Sequence, residues 1–325
     1  MNIVFLRTMT QKYRSIIHFI DPIIEAGHSL TICVNSAKFK LASTREKPTN
    51  VGKSSKGAIE YLAKNFGIKI KHIEKVLFTK KKDVTGDLYL LSGKHQKEKN
   101  SITLPYVKPR MITYGKDIVV GNPLCELIRD TKKTFMEVPG TLLLIHPGGG
   151  RGFISPVHKP IPKKRIQRHN YKFLNKIISN LPEFIDRVII KTHPFPYHQF
   201  TKTAIEKTVL QELRDLFKNI RIYVVEDDLI SYICQSEWIL NFGSSTAYWL
   251  KGSGKKWVNV TGMARYKYKK HREDMAEKRG GAVNINNLKE AMINYNRKDS
   301  KEEIEIYNMD AIQNVMRFIN AGAKI

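Results

Sequence analysis

The sequence predicts an α/β protein with two doubly wound domains, and three observations lead to that fold class. Short apolar strands alternate with amphipathic helices from the first residues onward. The strands are apolar throughout rather than in alternation, which is typical of a parallel sheet covered on both faces. The series starts again near residue 140, and 325 residues are enough for two domains of ~150 residues. We therefore expect two Rossmann-like domains that face each other across a cleft.

The first half opens with a β-α-β unit. The spacing predicts a strand at Asn2–Leu6, a helix over Tyr13–Ala26 that ends at Gly27, and a strand at Leu30–Val34. Later elements of the same domain are a helix at Ala58–Phe66 and strands at Ile68–Ile73, Leu88–Leu91 and Asp117–Val120. The predicted first domain spans residues 1–138.

The second half repeats the alternation over residues 139–300. Its predicted strands are Thr141–Ile145, Arg187–Lys191, Ile220–Val225, Trp238–Leu240 and Trp257–Val260. Its predicted helices are Tyr171–Leu181, Thr203–Phe217, Leu229–Gln235, Ser245–Lys251 and Asn287–Tyr295. The remaining segment, residues 301–325, holds a helix at Glu302–Ile319. Its apolar spacing suits a helix that packs back on the first domain, and equally an ordinary core helix.

The composition excludes several classes of protein. Apolar residues make up 42% of the chain, which is too many for a disordered protein. No apolar run approaches the ~18–20 residues of a membrane span, and the apolar start is too short for a signal peptide. The three cysteines are far apart and odd in number, so they make neither a disulfide framework nor a zinc site. The interpretation is a cytoplasmic protein with reduced thiols and no metal site.

The chain is strongly basic. Lys and Arg number 56 against 30 Asp and Glu, which gives a formal net charge of +26. Such a surplus attracts nucleic acid, an anionic membrane surface or phosphorylated substrates, although a solvated surface is the simpler alternative. The candidates for polyanion contact lie in KPIPKKRIQR and RYKYKKHR and are Lys163, Lys164, Arg165, Arg265, Lys267, Lys269 and Lys270.

Two segments that follow predicted strands carry glycines and a histidine. IHPGGGRG ends the strand Thr141–Ile145, where consecutive glycines let backbone N–H groups approach a ligand and an arginine offers a fork for phosphate. KTHPFP ends the strand Arg187–Lys191 and holds a histidine beside a stiff proline. A tight turn and a capping histidine are the structural alternatives. The candidate phosphate ligands are Gly148, Gly149, Gly150, Arg151, His193 and Pro194.

Two further segments also follow strands, at the edge where a doubly wound sheet binds its ligands. EDD comes after Ile220–Val225, and its Glu226 and Asp227 are candidates for ribose hydroxyls, with Asp227 or Asp228 as an N-cap of the next helix as the alternative. NFGSST precedes a helix, and hydroxyls and amides at a helix N-terminus bind anions, with simple capping as the alternative. The candidates in this segment are Gly243, Ser244, Ser245 and Thr246.

In their order and spacing, these segments resemble the donor-binding domain of GT-B glycosyltransferases. The pattern is most similar to bacterial capsule sialyl- and Kdo-type transferases and to the glycerophosphotransferases of teichoic acid synthesis. The resemblance depends on His193-Pro194, on Ser244-Ser245, on the stretch Lys251–Lys256 and, more weakly, on the turn Gly121-Asn122-Pro123. It covers roughly Val119–Val260. The acidic residue that many of these enzymes carry after the serine pair is missing from AYWLKG.

The resemblance implies transfer of a sugar from a UDP-, CMP- or GDP-linked donor to a hydroxyl, without a metal ion or a permanently bound cofactor. The His-Pro and Ser-Ser segments would hold the donor phosphates. The first domain would lie on the acceptor side and supply a general base. The unranked candidates for this base are Asp83, Asp87, His95 and His18.

The charge implies an anionic acceptor: a surface glycan, a lipid-linked glycan or DNA. The protein would then lie in the cytoplasm, at the inner membrane surface as a peripheral protein, or in the cytoplasm of a virus-infected host. Two alternatives stay open beside the glycan transferase, namely a phage-type DNA glycosyltransferase that acts on a modified base and a nucleotide-sugar epimerase on the same scaffold. A non-enzymatic nucleic-acid binder is a third, and no helix-turn-helix, RRM or zinc signature supports it.

Overall fold

The chain divides into two units, each built around its own sheet. The computed structural model describes residues 1–6, 13–33, 55–79, 84–91, 100–105, 109–113, 116–145, 163–192, 209–242, 246–261 and 281–322. The described residues up to Asp130 and from Ser300 onward form unit 1, and those from Thr131 to Asp299 form unit 2. The described chain therefore passes from unit 1 to unit 2 between Asp130 and Thr131, whereas the sequence suggested a boundary at residue 138.

Unit 1 contains a mostly parallel sheet. Its described strands are β1 Asn2–Leu6, β2 Ser29–Cys33, β3 Leu77–Thr79, β4 Leu88–Leu91, β5 Ser101–Thr103, β6 Arg110–Thr113 and β7 Lys116–Val119. Their spatial order is β3-β2-β1-β4-β5-β6-β7. The first five strands in this order run parallel to one another, β6 is antiparallel to β5, and β7 is antiparallel to β6. The helices before residue 133 are α1 Tyr13–Ile16, α2 Ile20–Glu25, α3 Ser55–Phe66 and α4 Pro123–Lys132.

Unit 2 contains an all-parallel sheet within its described residues. The strands are β8 Val138–Ile145, β9 Arg187–Lys191, β10 Arg221–Val225, β11 Ser236–Asn241, β12 Lys256–Thr261 and β13 Val283–Asn284. The helices are α5 Lys163–Ile178, α6 Leu210–Leu216, α7 Leu229–Gln235, α8 Ala247–Leu250 and α9 Leu288–Ile293. The strand order is β10-β9-β8-β11-β12-β13. Numbered within the unit, this is the order 3-2-1-4-5-6 of the dinucleotide-binding fold, so the predicted α/β class is confirmed.

The core of unit 2 explains why its central strands β8 and β9 are apolar on both faces. On one face, α5 buries Phe173, Leu174 and Ile177 in a cluster that includes Val188 of β9 and Leu213 of α6. A half-polar strand could not satisfy this arrangement, because each side chain of a doubly covered strand meets another element. The same continuous apolar runs made these strands visible in the sequence.

The helix predicted over Tyr13–Ala26 is broken into α1 and α2. Pro22 lies in the first turn of α2. A proline has no N–H group, and its ring collides with the carbonyl group four residues earlier, which here belongs to His18. The chain therefore makes a turn at 17–19 and restarts the helix at Ile20.

The strand predicted at Ile68–Ile73 was wrong. The carboxylate of Asp21 accepts the backbone N–H groups of Lys71 and His72 at 2.8–3.1 Å. These bonds use donors that a strand would give to its neighbour, and a 3₁₀ turn follows at Ile73–Lys75. The strand β3 begins only after this turn.

The last helix is also broken, into α10 Lys301–Asn308 and α11 Ala311–Asn320. Arg129 of α4 donates to the carbonyl oxygen of Asn308 at 2.6 Å and to Oδ1 of Asp310 at 2.7 Å. These contacts hold the break between the two helices. Glu126 of α4 also accepts the N–H group of Ile312 at 2.9 Å, which caps the start of α11 from another element.

Further contacts attach α11 to unit 1. Asn314 donates from Nδ2 to the carbonyl oxygen of Val120 at 3.2 Å, and Asn320 bonds to His28 at 2.9 Å. The helix buries its apolar face, which comprises Ala311, Val315, Met316 and Ile319. In the described residues, the end of the chain is thus part of the same packed unit as its beginning.

The turn Gly121-Asn122-Pro123 has a structural explanation. Gly121 has φ +88°, and a Cβ atom there would lie 2.7 Å from Cβ of Met309 and 3.1 Å from Cβ of Ala311. Asn122 caps α4, since its Oδ1 accepts the N–H group of Leu124 at 2.9 Å. Pro123 occupies the first helical position, which favours proline. The turn therefore lets α11 approach the start of α4.

We expect Gly121→Ala to destabilise unit 1 more than Gly27→Ala does. Both glycines have positive φ, which costs alanine roughly 1 kcal/mol. Only at Gly121 would the new methyl group overlap packed atoms, since nothing lies within 4 Å of a Cβ atom at Gly27. Overpacking adds about 1–3 kcal/mol. Hydrogen exchange of unit 1 peptides measures both losses, and equal losses would contradict the packing explanation.

Candidate functional site

Four segments singled out in the sequence follow four neighbouring strands of unit 2. At the carboxyl edge, Ile145 of β8 is paired with Lys191 of β9, and Lys191 with Val225 of β10. On the other side of β8, Leu144 is paired with Leu240 of β11. Adjacent strands lie ~4.8 Å apart. The chain therefore leaves all four strands at one edge, although they are far apart in sequence.

The strand order reverses between β8 and β11. In doubly wound sheets, ligands bind outside the carboxyl ends of the strands at this reversal. β8 leads directly toward the triple-glycine segment, and β11 leads toward the serine pair. The predicted ligands that lie outside the described residues are Gly148, Gly149, Gly150, Arg151, His193, Pro194, Gly243, Ser244 and Ser245. Their assignment to the site stays a prediction.

A buried lysine joins the ends of β9 and β10. Lys191 is 2% exposed, and its Nζ donates to the carbonyl oxygens of Thr192 at 3.0 Å and Glu226 at 2.6 Å. Thr192 is equally buried and donates to the carbonyl oxygen of Val225 from its backbone N–H at 3.0 Å and from Oγ1 at 3.2 Å. The segment before His193 is therefore tied to the segment that carries Glu226 and Asp227.

The acidic segment combines capping with half-buried carboxylates. Asp228 has φ +53° and caps α7, since its Oδ1 accepts the N–H group of Ser231 at 3.3 Å. Glu226 and Asp227 are half-buried at the sheet edge and stay candidates for ribose hydroxyls. Burial raises the pKa of Tyr232, and the negative charges of Asp227 and Asp228 raise it further. This phenol therefore keeps its proton at neutral pH and can donate a hydrogen bond.

Two buried amides join the strands β11 and β12 near their carboxyl ends. Asn241 and Asn259 are paired in register, and Nδ2 of Asn241 donates to Oδ1 of Asn259 at 2.7 Å. Thr246 is 2% exposed, and its carbonyl oxygen accepts the N–H group of Trp249 at 2.9 Å. Trp249 is itself buried and anchors the one-turn helix α8. These contacts give the serine segment fixed ends.

Sequence reasoning missed Lys191, Asn241 and Asn259. Each is a polar residue at the carboxyl end of an apolar strand, in RVIIK, WILN and WVNV. This position is a usable signal, because a buried polar side chain must find hydrogen-bond partners and such partners lie where ladders end.

Two of the predicted general bases are described. Asp87 precedes β4, and its Oδ2 accepts the N–H group of Asn2, the first residue of β1, at 2.7 Å. It therefore lies at the amino edge of its sheet. His18 is 8% exposed, burial lowers its pKa to about 3, and no described residue bonds to its Nε2. Its burial argues against contact with a substrate. Asp83 and His95 lie outside the described residues.

The basic candidates are described only in part. Lys163, Lys164 and Arg165 form the first turn of α5, although their side chains lie outside the described part, as do Arg265, Lys267, Lys269 and Lys270 entirely. Further along α5, Arg168, Lys172 and Lys176 are exposed. Their spacing of four residues puts them on one face of the helix. The stretch from Val138 to Pro182 contains no Asp or Glu, so this face is uniformly basic.

The lysine stretch of the resemblance lies at the other edge of unit 2. Lys255 precedes β12, and its side chain is 1% exposed. Its Nζ donates to the carbonyl oxygens of Cys234 at 2.7 Å and Ser236 at 2.8 Å and to Oε2 of Glu137 at 2.5 Å. Burial lowers the pKa of Lys255, while Glu137 opposes this shift. Lys255 thus fixes the amino ends of the strands, away from the carboxyl edge.

In the described residues, no His, Cys, Asp and Glu side chains form a group of three or more that could hold a metal ion. Among the helices in these ranges, of which α5 with 16 residues is the longest, none has both the length and the hydropathy that a membrane crossing requires.

No protein-family model and no curated protein match the chain. Among solved structures, the chain is similar to UDP-GlcNAc 2-epimerase from Neisseria meningitidis bound to UDP-GlcNAc, with 11% identity, 99% coverage of both chains and a TM-score of 0.44. It is also similar to Acinetobacter baumannii MurG, with 12% identity, 98% and 99% coverage and a TM-score of 0.46. A third is the spinosyn forosaminyltransferase SpnP, with 10% identity, 99% coverage of both chains and a TM-score of 0.40. The fold assignment depends on the strand order of the two sheets.

Proposed function

We propose that this protein is a glycosyltransferase that uses a nucleotide-activated sugar. One observation carries the proposal. In a sheet of order 3-2-1-4-5-6, the reversal point lies between β8 and β11, which lead to the triple-glycine segment and the serine pair. Backbone N–H groups of glycines and hydroxyls beside a strand end suit a diphosphate or monophosphate. Unit 2 is the proposed donor-binding unit.

The proposed reaction needs stabilisation of a leaving phosphate. The acceptor hydroxyl oxygen forms a bond to the anomeric carbon, the bond from that carbon to the donor phosphate oxygen breaks, and a general base takes the hydroxyl proton. The electron pair of the broken bond leaves on the phosphate. Cations and N–H donors aimed at this developing charge lower the barrier. The proposed donors are Gly148, Gly149, Gly150, Arg151, His193, Ser244, Ser245 and Thr246, while Glu226 and Asp227 bind ribose. No metal ion takes part in this scheme.

Unit 1 is the proposed acceptor unit and the source of the base. Of the four candidates, the buried His18 and the amino-edge residue Asp87 have unfavourable positions. Asp83 and His95 follow β3 and β4 in the sequence. Both lie outside the described residues, so they stay the open candidates for the base.

The acceptor is proposed to be anionic. The exposed face of α5, with Arg168, Lys172 and Lys176 and no acidic residue on the helix, supports this. A surface or lipid-linked glycan at the inner membrane surface fits such a face, since each Lys or Arg near an anionic membrane adds roughly 1 kcal/mol. DNA is the second candidate, in which the enzyme would modify a base in an infected cell. A gel shift with duplex DNA at ~50 mM salt separates the two.

A nucleotide-sugar epimerase would use the same donor segments without an acceptor. Its chemistry needs groups that remove and return a proton on the sugar, and only the carboxylates of Glu226 and Asp227 are candidates at the described carboxyl edge of unit 2. Incubation of the protein with the donor alone distinguishes the two activities, because an epimerase changes the sugar and a transferase leaves it intact or hydrolyses it slowly.

The first test is a thermal-shift screen with UDP, CMP, CDP and GDP. We expect one nucleotide to raise the melting temperature of unit 2, since a ligand at 100 times its Kd stabilises the native state by about 2.7 kcal/mol. All three tryptophans lie in unit 2, so tryptophan fluorescence follows the correct unit. The nucleotide that stabilises identifies the donor class. No shift with any nucleotide at millimolar concentration would contradict the proposal.

A further inference from the structure

A fully buried ammonium group at the carboxyl edge of unit 2 needs an explanation. Lys191 ends β9 directly after the buried residues Ile189 and Ile190, and it is 2% exposed. Removal of an ammonium from water costs several kcal/mol unless the group finds close partners. An apolar side chain of similar length would fill the same volume without that cost. The charge is therefore expected to have a task beyond packing.

The hydrogen bonds of Lys191 show which two backbone segments its ammonium group joins. Its Nζ donates to the carbonyl oxygen of Thr192, the last described residue before His193. It also donates to the carbonyl oxygen of Glu226, the first residue after β10, at the shorter distance of 2.6 Å. Only a side chain with several donors can bond to both segments. A backbone bond from Thr192 to Val225 continues the β9–β10 ladder past Lys191, and the side chain of Lys191 adds a connection to Glu226.

We propose that Lys191 is a positioning residue for the donor nucleotide, which it serves by joining the segment that leads to His193 to the segment that carries Glu226 and Asp227. This inference rests on the proposed function. With both segments held by one ammonium group, Thr192 at the end of β9 and the ribose-side candidates Glu226 and Asp227 keep a fixed separation before the donor arrives. Preorganised contacts cost less ordering entropy on binding. The charge also adds a fixed positive potential at the edge where a phosphate would bind.

Unit 2 offers a matched control for this proposal. Lys255 is also buried, and its Nζ likewise donates to two backbone carbonyl oxygens, those of Cys234 and Ser236. It lies at the amino ends of β11 and β12, whereas Lys191 lies at the carboxyl ends of β9 and β10. Loss of the buried ammonium group should destabilise unit 2 in a variant of either lysine. Weaker nucleotide binding should appear only in the variant of Lys191.

The experiment measures Kd by calorimetry for whichever of UDP, CMP, CDP and GDP stabilises the wild type. We expect Lys191→Met to weaken binding at least 10-fold and Lys191→Arg to restore most of the affinity, because a guanidinium keeps both charge and several donors. Lys255→Met should keep the wild-type Kd while it lowers the melting temperature of unit 2. If Lys191→Met does not fold, Lys191→Gln, which keeps donors without charge, should still weaken binding several-fold.

The possible outcomes distinguish failure of the positioning role from failure of the proposed function. An unchanged Kd in Lys191→Met, or in Lys191→Gln if that variant must replace it, overturns the positioning role and leaves the proposed function intact. Equal weakening in Lys191→Met and Lys255→Met also overturns it, because the loss would then follow general destabilisation. Absence of nucleotide binding by the wild type rejects the proposed function itself, and the positioning role falls with it.

Discussion

His193→Ala should lower the rate of sugar transfer by a factor of about 10²–10³ while unit 2 stays folded. Loss of one donor to a developing negative charge typically has this effect. His193 directly follows Thr192, which is fixed by its bonds to Val225 and by Lys191. The strand itself is held by β8 and β10 on its two sides. The variant therefore removes a side chain beyond the end of a well-fixed strand.

Single-turnover kinetics with the donor identified by the thermal-shift screen measure this loss. A role in the transition state lowers the rate of the chemical step and leaves donor affinity nearly unchanged, whereas a role in ground-state binding changes Kd alone. His72→Ala is the control, because His72 lies in unit 1 beside Glu25 and is not one of the predicted ligands. Wild-type rates in His193→Ala would remove the central residue of the proposed phosphate site.

The strands of unit 2 could be read from the sequence because of how they are buried. β8 and β9 are covered on both faces where they form the continuous apolar runs TLLLI and RVIIK. The hairpin β6–β7 has no such signal, since most residues of Lys116–Val119 are exposed. Its pairing is decided by the partner strand, and β-structure depends on such neighbours more than on local propensity. The sequence therefore showed the parallel core and, at the antiparallel edge, predicted β7 as the strand Asp117–Val120 but not its partner β6 or their pairing.

The same distinction between local pattern and distant partners applies to the candidate site. Segments that follow apolar strands were predicted to share one edge, and the register of β8, β9, β10 and β11 brings their ends together. The position of Lys191 at a strand end could mark it as a candidate, but its partner could not be found in this way, because the carbonyl oxygen of Glu226 lies 35 positions later. Asp87 was misleading for a related reason, since nothing local reveals that it bonds to Asn2 at the amino edge.

We expect unit 1 to lose stability on mild acidification through His18. Burial lowers the pKa of this imidazole to about 3 from its ordinary value of 6.5. The native state therefore keeps His18 neutral, while the unfolded chain takes up a proton below pH 6.5. Between pH 6.5 and about 3 the unfolded state binds more protons, so the free energy of unfolding falls as the pH falls. From pH 7 to pH 5 the loss from this one group is about 2 kcal/mol.

His18→Leu should remove that part of the pH dependence. Urea unfolding followed by far-UV circular dichroism at pH 7 and pH 5, with tryptophan fluorescence to subtract unit 2, gives the free energy of unit 1 at each pH. Ile17→Val is the control, because it trims a neighbouring buried side chain without changing a titrating group. It should cost about 0.5–1.5 kcal/mol at both pH values and keep the wild-type difference between them. A variant His18→Leu that loses as much stability as the wild type on acidification would show that the imidazole is accessible to protons in the native state. Such access would return His18 to the candidates for a general base.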